Sequence, residues 1–254
     1  MTEDEQDMTA PYWLNPYDRE DFPAVELALR EPDGLLAIGG DLSIERLLAA
    51  YRRGIFPWYS DDQPVLWWSP DPRSVLLPEK LRISRSLRKT LKKNPFRVSL
   101  DEAFAEVIHE CAQPRKDEPG TWITEEMMQA YIRLHDAGHA HSVECWQGDR
   151  LVGGLYGMSL GKVFFGESMF ARASDASKIA FVCLARQLRR WGFGLIDCQI
   201  QSEHLDRFGA ENIPRNVFVH SLEHFTALPN YNGDWKFEAE LIETIIRTGG
   251  KMDE

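Results

Sequence analysis

One acidic side chain interrupts an otherwise apolar segment of this 254-residue chain. The segment is Val163–Phe170 (VFFGESMF), and its aromatic residues and methionine are typical of a buried strand. Glu167 lies within it between a glycine and a serine. Burial of an unpaired carboxylate is costly unless the group stays protonated, so such residues are usually paired with a cation or used for chemistry. Glu167 is therefore a candidate catalytic residue.

Two further polar residues lie in a second apolar segment, Leu195–Ile200 (LIDCQI). Side chains two residues apart on a strand share a face, so Asp197 and Gln199 are predicted to point the same way. Together with Glu167 they would place three polar groups on two core strands, which suggests one site. The alternative is that Asp197 and Gln199 only satisfy buried backbone groups, as buried polar pairs often do.

Positive charge is concentrated in one segment. The net charge is −11, yet Lys80–Arg97 contains eight basic residues and no acidic residue. Apolar residues recur there at every fourth position, which predicts an amphipathic helix that is capped by Ser84 and ends at Asn94. A solvated helix face is the alternative, but an all-basic segment on an acidic protein favours binding to the phosphates of an RNA. The basic residues predicted to make these contacts are Arg85, Arg88, Lys89, Lys92 and Lys93.

The composition is typical of a globular protein, because 43% of the residues are hydrophobic and 27% are charged. No segment approaches the roughly 20 apolar residues that a membrane helix needs, and the acidic N-terminus lacks the apolar core of a signal peptide. Four cysteines without close paired spacing are predicted to be free thiols in a reducing cytoplasm. We therefore expect a cytoplasmic protein without membrane contact.

Two domains are predicted, with a boundary near residue 72. Residues 1–72 are rich in Pro, Gly and Trp and are expected to form a small N-terminal domain, with residues 1–11 as a frayed tail. Asp71 lies between two prolines, which require an extended or turning backbone and mark the boundary. Residues 73–254 have a mixed pattern of helices and strands and are expected to form the catalytic domain.

The order of elements in the second domain indicates its fold. Three apolar segments, His141–Trp146, Leu151–Ser159 and Val163–Ala171, are separated by short turns with Gly and predict an antiparallel meander. A long amphipathic helix over Ser174–Trp191 and the LIDCQI strand follow. This order resembles the acyltransferase fold of the GNAT superfamily. The fold class is therefore expected to be α+β, with a mixed, mainly antiparallel sheet in a GNAT-like C-terminal domain.

Nine short motifs along the chain match one protein family. In order they are LREPDGLLAIGGDLS at Leu29–Ser43, RGIFPW at Arg53–Trp58, LWWSPDPR at Leu66–Arg73, ISRSLRK at Ile83–Lys89, GTWIT at Gly120–Thr124, GHAHSVE at Gly138–Glu144, LVGGLYG at Leu151–Gly157, FFGESMF at Phe164–Phe170 and LIDCQ at Leu195–Gln199. With these motifs the chain resembles the leucyl/phenylalanyl-tRNA–protein transferases over most of residues 22–218.

The resemblance implies an aminoacyltransferase of the bacterial cytoplasm. Such enzymes move leucine or phenylalanine, and less readily methionine, from aminoacyl-tRNA to the N-terminal Arg or Lys of a protein, which marks that protein for degradation. The expected partners are therefore Leu-tRNA, Phe-tRNA and these acceptor proteins. No cofactor is expected because the tRNA ester already carries the activation energy. The sequence agrees, since it has no phosphate-binding Gly-rich loop that ends in Lys-Ser/Thr.

The resemblance also implies roles for the three polar residues. Gln199 and Asp197 are expected to act together: the Gln199 carbonyl orients and polarises the acceptor amine, while Asp197 supports Gln199 and receives positive charge. Glu167 is expected to hold the acceptor's ammonium or guanidinium, or to shift the amine toward its neutral form. No metal is expected, because Gly138 separates His135 from His139 and His141 and disrupts helical ligand spacing.

Donor selection requires an apolar pocket that admits leucine and phenylalanine. Ordinary core packing is the alternative for any single tryptophan in a chain that contains eight. The family pocket is partly lined by methionine, and Leu155 departs from that pattern. Trp67 and Trp68 are expected to offer a surface for the terminal adenosine of the tRNA. The candidate pocket residues are Trp58, Trp122, Leu155, Phe164 and Leu184.

Two other classes of function stay open at this point. One is an acetyl-CoA N-acetyltransferase, because RRWGFG at Arg189–Gly194 imitates a pyrophosphate-binding loop. Such a loop should open a helix, whereas this segment closes one, so we interpret Gly192 and Gly194 as a helix C-cap and turn. The other is a non-catalytic RNA-binding protein built around the basic helix, which leaves the three polar residues of the core strands unexplained.

Overall fold

A computed structural model describes residues 10–114 and 123–251 of the chain. The predicted frayed tail, residues 1–11, lies outside these ranges except for its last two residues. Within the described ranges the chain forms a small sheet, a large mixed sheet and eight α-helices.

The small sheet is built by the N-terminal part of the chain. Its strands are β1 (Tyr12–Trp13), β2 (Leu35–Ile38), β3 (Phe56–Pro57) and β4 (Leu66–Trp68), in the order β1-β2-β4-β3. Strand β1 runs parallel to β2, and β4 runs antiparallel to both of its neighbours. Helix α1 (Ile44–Arg52) connects β2 to β3 and buries Leu47, Ala50 and Tyr51.

The large sheet is built by residues 73–213. Its strands are β5 (Arg73–Leu76), β6 (Arg97–Leu100), β7 (Ala140–Gln147), β8 (Arg150–Leu160), β9 (Val163–Ala171), β10 (Leu195–Gln199) and β11 (Glu211–Ile213), in the order β11-β5-β10-β9-β8-β7-β6. The antiparallel meander predicted for β7, β8 and β9 is confirmed. Strand β10 returns parallel to β9, because a helix crosses the sheet between them.

Helices cover both faces of the large sheet. They are α2 (Arg85–Lys93), α3 (Phe104–Cys111), α4 (Glu125–Asp136), α5 (Ala176–Arg190), α6 (Glu203–Asp206), α7 (Arg215–Thr226) and α8 (Ala239–Thr248). Helix α5 packs against β7, β8 and β9, and α3 packs against the same three strands. Neighbouring strand residues belong to different cores: Leu155 and Phe164 pack with α5, whereas Tyr156 and Phe165 pack with α3 and α4. This alternation is the two-residue period of a sheet that is buried on both faces.

The core on the α3–α4 side is shared with the N-terminal region. Leu36, Tyr51 and Trp67 belong to the same apolar cluster as Tyr131 and Phe165. The chain passes from the small sheet to the large sheet between residues 68 and 73, close to the boundary expected from the sequence. The mixed α+β class is therefore observed, while the GNAT-like assignment and the division into two domains stay predictions.

The basic helix begins and ends where the sequence indicates. Ser84 caps the start of α2 by accepting a hydrogen bond from the backbone N of Leu87 at 3.2 Å. Asn94 ends the helix in a left-handed conformation, with φ +46°. Leu87 and Leu91 are buried, so the basic residues of α2 occupy the remaining surface.

Candidate active site

Glu167 lies at the centre of a buried hydrogen-bond network. Tyr51 Oη donates to its Oε1 at 2.6 Å, and Tyr131 Oη donates to its Oε2 at 3.0 Å. Gln199 Nε2 donates to Oε1 at 2.9 Å. The two tyrosine hydroxyls also contact each other. All three donors are neutral, and within the described residues no cation forms an ion pair with Glu167. An incoming cation would therefore find this carboxylate without a counter-charge.

The surroundings of Glu167 move its pKa toward neutrality. Burial raises the pKa of the Glu167 carboxyl to about 7, because the charged form loses its hydration. The hydrogen bonds from Tyr51 and Tyr131 act in the opposite direction, since they stabilise the ionised form. Burial and the neighbouring Glu167 raise the pKa of both tyrosines well above the usual value, so their hydroxyls remain protonated donors. Glu167 can therefore both accept and release a proton near neutral pH.

Asp197 forms an ion pair that the sequence analysis did not anticipate. Arg73 Nε donates to Asp197 Oδ1 at 2.9 Å, and Arg73 Nη2 donates to Oδ2 at 2.7 Å. Asp197 Oδ1 also accepts from the backbone N of Gln199 at 2.9 Å. The Asp197 side chain thus holds the backbone of Gln199 in place. The expected transfer of positive charge to Asp197 stays a prediction, and the ion pair with Arg73 opposes it because the negative charge is already compensated.

Gln199 adopts an unusual backbone conformation. Its φ is +61°, and the pairing of β10 with β5 shifts register between Asp197 and Gln199. Ile196 and Cys198 belong to the core on the α5 side. The side chains of Asp197 and Gln199 instead reach Arg73 and Glu167, whose other partners belong to the opposite core. The Gln199 Oε1 atom has no hydrogen bond within the described residues and is left to accept one from a ligand.

A cavity of about 440 Å³ adjoins these polar groups. Pairing between β9 and β10 ends at Phe165 and Asp197, and the cavity lies between the next residues of the two strands, 166–169 and 198–200. Glu167, Asp197 and Gln199 all line it. Its apolar wall is formed by Leu155, Phe164, Met169, Phe181, Leu184 and Ile196.

Three of the five predicted pocket residues, Leu155, Phe164 and Leu184, line this cavity together with the three polar residues. Trp58 does not line it: its side chain is 40% exposed and packs against Trp68 with ring centroids 5.6 Å apart. Trp122 lies outside the described residues. The strand and helix residues of the predicted pocket therefore lie at one cavity, and the roles of both tryptophans stay predictions.

The expected role of Trp67 in stacking on the tRNA adenosine is wrong. Trp67 is completely buried, because its ring packs edge-on against Phe22 and its Nε1 donates to the Gly39 carbonyl at 2.8 Å. Trp68 is half-buried, and its Nε1 donates to the carbonyl of Trp58 at 2.7 Å. A ligand can therefore reach only the second of the two adjacent tryptophans.

Most of the predicted RNA-contacting residues lie on the surface of α2. Arg85, Lys89, Lys92 and Lys93 are exposed, and none of the four forms an ion pair with another described residue. Arg88 differs from the prediction, because it is half-buried and its Nε donates to the carbonyl of Ile83 at 3.0 Å. This side of α2 faces the end of α8 rather than solvent. The positive surface therefore has four freely available charges.

Two of the three histidines of the central segment, His135 and His141, have partners within the described residues. His141 Nδ1 lies 2.7 Å from Asp101 Oδ2, and its ring stacks on Trp235. His135 Nδ1 lies 2.8 Å from the Ala140 carbonyl. No group of side chains within residues 10–114 and 123–251 has the arrangement of a metal site. In the same ranges no helix combines the length and apolar character needed to cross a membrane.

Sequence comparisons identify the relatives of this chain. A family model described as "Leucyl/phenylalanyl-tRNA protein transferase" matches residues 75–223, and one for the N-terminal domain of the same family matches residues 40–71. A solved structure, "The structure of L-PGS from Bacillus licheniformis", covers 85% of this chain and 72% of its own with a TM-score of 0.36 and 10% identity, which is too low to assign the fold.

Several relatives carry the name leucyl/phenylalanyl-tRNA--protein transferase. The protein from Stutzerimonas stutzeri is 58% identical over 88% of this chain and 98% of its own length. The protein from Nitrosomonas europaea is 59% identical over 87% and 94%, and that from Aromatoleum aromaticum is 60% identical over 87% and 93%. The chain thus belongs to the leucyl/phenylalanyl-tRNA–protein transferase family.

Proposed function

We propose that this protein transfers leucine or phenylalanine, and less readily methionine, from aminoacyl-tRNA to the N-terminal Arg or Lys of acceptor proteins in the bacterial cytoplasm. The transfer would mark the acceptors for degradation. The observation that carries the proposal is the apolar cavity whose wall also contains Glu167, Asp197 and Gln199. Such a cavity fits an apolar side chain joined to a reacting group, and the family relationship supports the reaction.

The reaction is an aminolysis of an ester. The acceptor ammonium loses a proton, and its nitrogen attacks the ester carbonyl carbon. A peptide bond forms and the ester C–O bond breaks. The nitrogen gives up a second proton, which balances the protonation of the ribose oxygen as the tRNA leaves. Gln199 Oε1 is available to orient the amine, and Glu167 is available to accept its proton or hold its positive charge, because the pKa of Glu167 is raised to about 7 by burial.

Donor selection follows from the apolar wall. Leu155, Phe164 and Leu184 offer contacts to an apolar side chain that is not branched at Cβ, while a charged side chain would lose its hydration there. A hydrophobic pocket separates near-isosteres by only about 1–3 kcal/mol per methylene. Leucine, phenylalanine and methionine are therefore expected to share the pocket with graded efficiency.

The tRNA part of the donor is expected to bind to α2. Arg85, Lys89, Lys92 and Lys93 extend from one short helix without acidic partners, which suits contacts with a phosphate backbone. The protein as a whole is acidic, with a net charge of −11. Binding is therefore expected to be confined to this surface rather than to coat the protein.

The test is transfer of radiolabelled leucine from Leu-tRNA to a peptide that begins with Arg, compared with one that begins with Ala. Transfer to the Arg peptide alone, without added ATP, metal or CoA, is expected. Absence of transfer from a folded sample that still binds tRNA would favour a non-catalytic RNA-binding protein. Absence of tRNA binding would reopen the acetyl-CoA alternative, which a CoA titration then tests.

A matched pair of variants connects the activity to the site. Glu167→Gln is expected to lower the rate by a factor of about 10²–10⁴, the usual size of a general acid–base contribution. Glu144→Gln is the control, because Glu144 is also buried, on β7, but accepts hydrogen bonds from Ser99 and Ser142 outside the cavity. Equal activity in the two folded variants would remove Glu167 from the mechanism.

A further inference from the structure

Two buried tyrosines from distant parts of the chain converge on one carboxylate. Tyr51 lies on α1, Tyr131 lies on α4, and both side chains are completely buried. Their hydroxyls bind different oxygens of Glu167, at 2.6 Å to Oε1 and 3.0 Å to Oε2. Each of these polar groups loses its hydration when it is buried, which costs free energy unless the groups form hydrogen bonds with one another. The hydrogen bonds to Glu167 compensate for this loss and fix a specific arrangement.

We propose that Tyr51 and Tyr131 are positioning residues that stabilise the ionised form of Glu167 and hold its carboxylate against Gln199. The inference rests on the proposed function for its catalytic consequence. Neither tyrosine is assigned contact with the substrate. They act through Glu167, which lines the cavity and is available to the acceptor amine.

The directions of the hydrogen bonds support this role. Glu167 Oε1 accepts from Tyr51 and from the amide Nε2 of Gln199, and Oε2 accepts from Tyr131. An ionised carboxylate has acceptor sites for all three donors, whereas a protonated carboxyl must itself donate one hydrogen bond. When both hydroxyls donate to Glu167, the three neighbours stabilise the charged form, which compensates part of the cost of burial. The contact between the two tyrosine oxygens then carries no proton, because each hydroxyl has only one.

Other charged and titratable groups also face Glu167. From β10 and β5, Asp197 raises its pKa by repulsion, and Arg73 lowers it by attraction. These two groups pair with each other, so their effects on Glu167 oppose one another. From β8, Tyr156 lies close enough for its own pKa to be raised by Glu167, but its hydroxyl has no partner within the described residues. The hydroxyls of Tyr51 and Tyr131, together with the Gln199 amide, are therefore the specific stabilising contacts.

The test replaces each tyrosine by phenylalanine, which removes the hydroxyl and keeps the ring. The carbonyl stretching band of the protonated Glu167 carboxyl is followed by infrared spectroscopy against pH, with assignment by its loss in Glu167→Gln. Loss of a hydrogen bond to the ionised form raises a carboxyl pKa. We expect Tyr51→Phe and Tyr131→Phe to shift the midpoint upward by about one pH unit each.

Tyr59→Phe provides the matched control for loss of a buried hydroxyl. Tyr59 is buried, and its hydroxyl donates to Glu126 Oε2 at 3.2 Å rather than to Glu167, so the midpoint should not move. If a phenylalanine variant does not fold, 3-fluorotyrosine at position 51 serves instead. Its more acidic hydroxyl is a stronger donor, so the midpoint should move downward.

The pH dependence of transfer gives the functional readout. The acid limb of kcat/KM should move upward with the infrared midpoint in both variants, while Tyr59→Phe follows the wild type. Unchanged midpoints in the Tyr51 and Tyr131 variants would overturn the proposal. If the midpoints shift in these variants but the wild-type protein transfers no leucine, the positioning role stands and the proposed function is rejected. The two failures are therefore distinguishable.

Discussion

Arg73 and Asp197 form a two-point ion pair that is closed to solvent and joins β5 to β10. The remaining guanidinium nitrogen, Nη1, donates to the Gly54 carbonyl at 3.0 Å, and the guanidinium lies against the rings of Phe56 and Phe218. The pair therefore connects the N-terminal region, the large sheet and α7 at one buried point. Asp197 consequently has a structural role whatever its part in the reaction.

This relationship predicts a large loss of stability in Asp197→Asn. The substitution leaves the Arg73 charge buried without compensation, which usually costs about 3–5 kcal/mol. Urea unfolding should show that decrease in the free energy of unfolding, and the double variant Arg73→Gln/Asp197→Asn should lose less than the sum of the two single changes.

Activity measurements on Asp197 must therefore be corrected for the folded fraction. Gln199→Ala should lower transfer without a comparable loss of stability, because Gln199 forms no ion pair. If Asp197→Asn and Gln199→Ala both fold normally and keep near-full turnover, the expected cooperation of the two residues in activating the amine is refuted.

Glu167 should make stability depend on pH. Its pKa is about 7 in the folded protein and near the ordinary value of 4.5 in the unfolded chain, so the folded state binds more protons between these values. A raised carboxyl pKa contributes stability that is complete below about pH 4.5 and lost as pH rises through about 7. The contribution lost is about 3 kcal/mol.

The measurement compares wild type with Glu167→Gln, which has no titrating group at this position. The free energy of unfolding of the wild type relative to the variant should fall between about pH 4.5 and 7 and stay level above that range. A difference that is constant with pH would mean that Glu167 keeps an ordinary pKa after folding.

The polar residues of the two core strands were predictable because they violate the apolar pattern around them. Glu167, Asp197 and Gln199 each stand out within a short hydrophobic segment, and the structure brings all three to one cavity. Their partners give no such signal. A tyrosine on an amphipathic helix is compatible with ordinary core packing, so Tyr51 and Tyr131 carry no local sign of a hydrogen bond to a carboxylate.

Long-range pairing explains what the sequence pattern missed. The hydrogen bond from Tyr51 to Glu167 spans 116 residues, and that from Arg73 to Asp197 spans 124 residues. Local periodicity predicts the strands and the basic helix, because these depend on neighbours a few residues apart. The position of Arg88 beside the end of α8 and the burial of Trp67 depend instead on tertiary packing.

Leu155 should influence the choice of donor. Leu155→Ala enlarges the apolar wall of the cavity and should raise the ratio of kcat/KM for Phe-tRNA over Leu-tRNA by about tenfold, in the range expected for a few lost methylene contacts. Leu160→Ala is the control, because Leu160 is as buried as Leu155 on the same strand and does not line the cavity. Both variants should lose stability, and only the first should change the ratio.

The basic surface of α2 should contribute to binding of the tRNA and not to the chemical step. Lys89→Gln/Lys93→Gln removes two exposed charges and should weaken tRNA binding and reduce the slope of log K against log salt by about 2, because each lost phosphate contact lowers it by about 1. Arg133→Gln/Lys236→Gln makes the same change in net charge elsewhere on the surface and should leave both quantities unchanged. Transfer from a minimal aminoacyl-adenosine donor should be spared in both double variants. An equal loss with tRNA and with the minimal donor would show that α2 is structural.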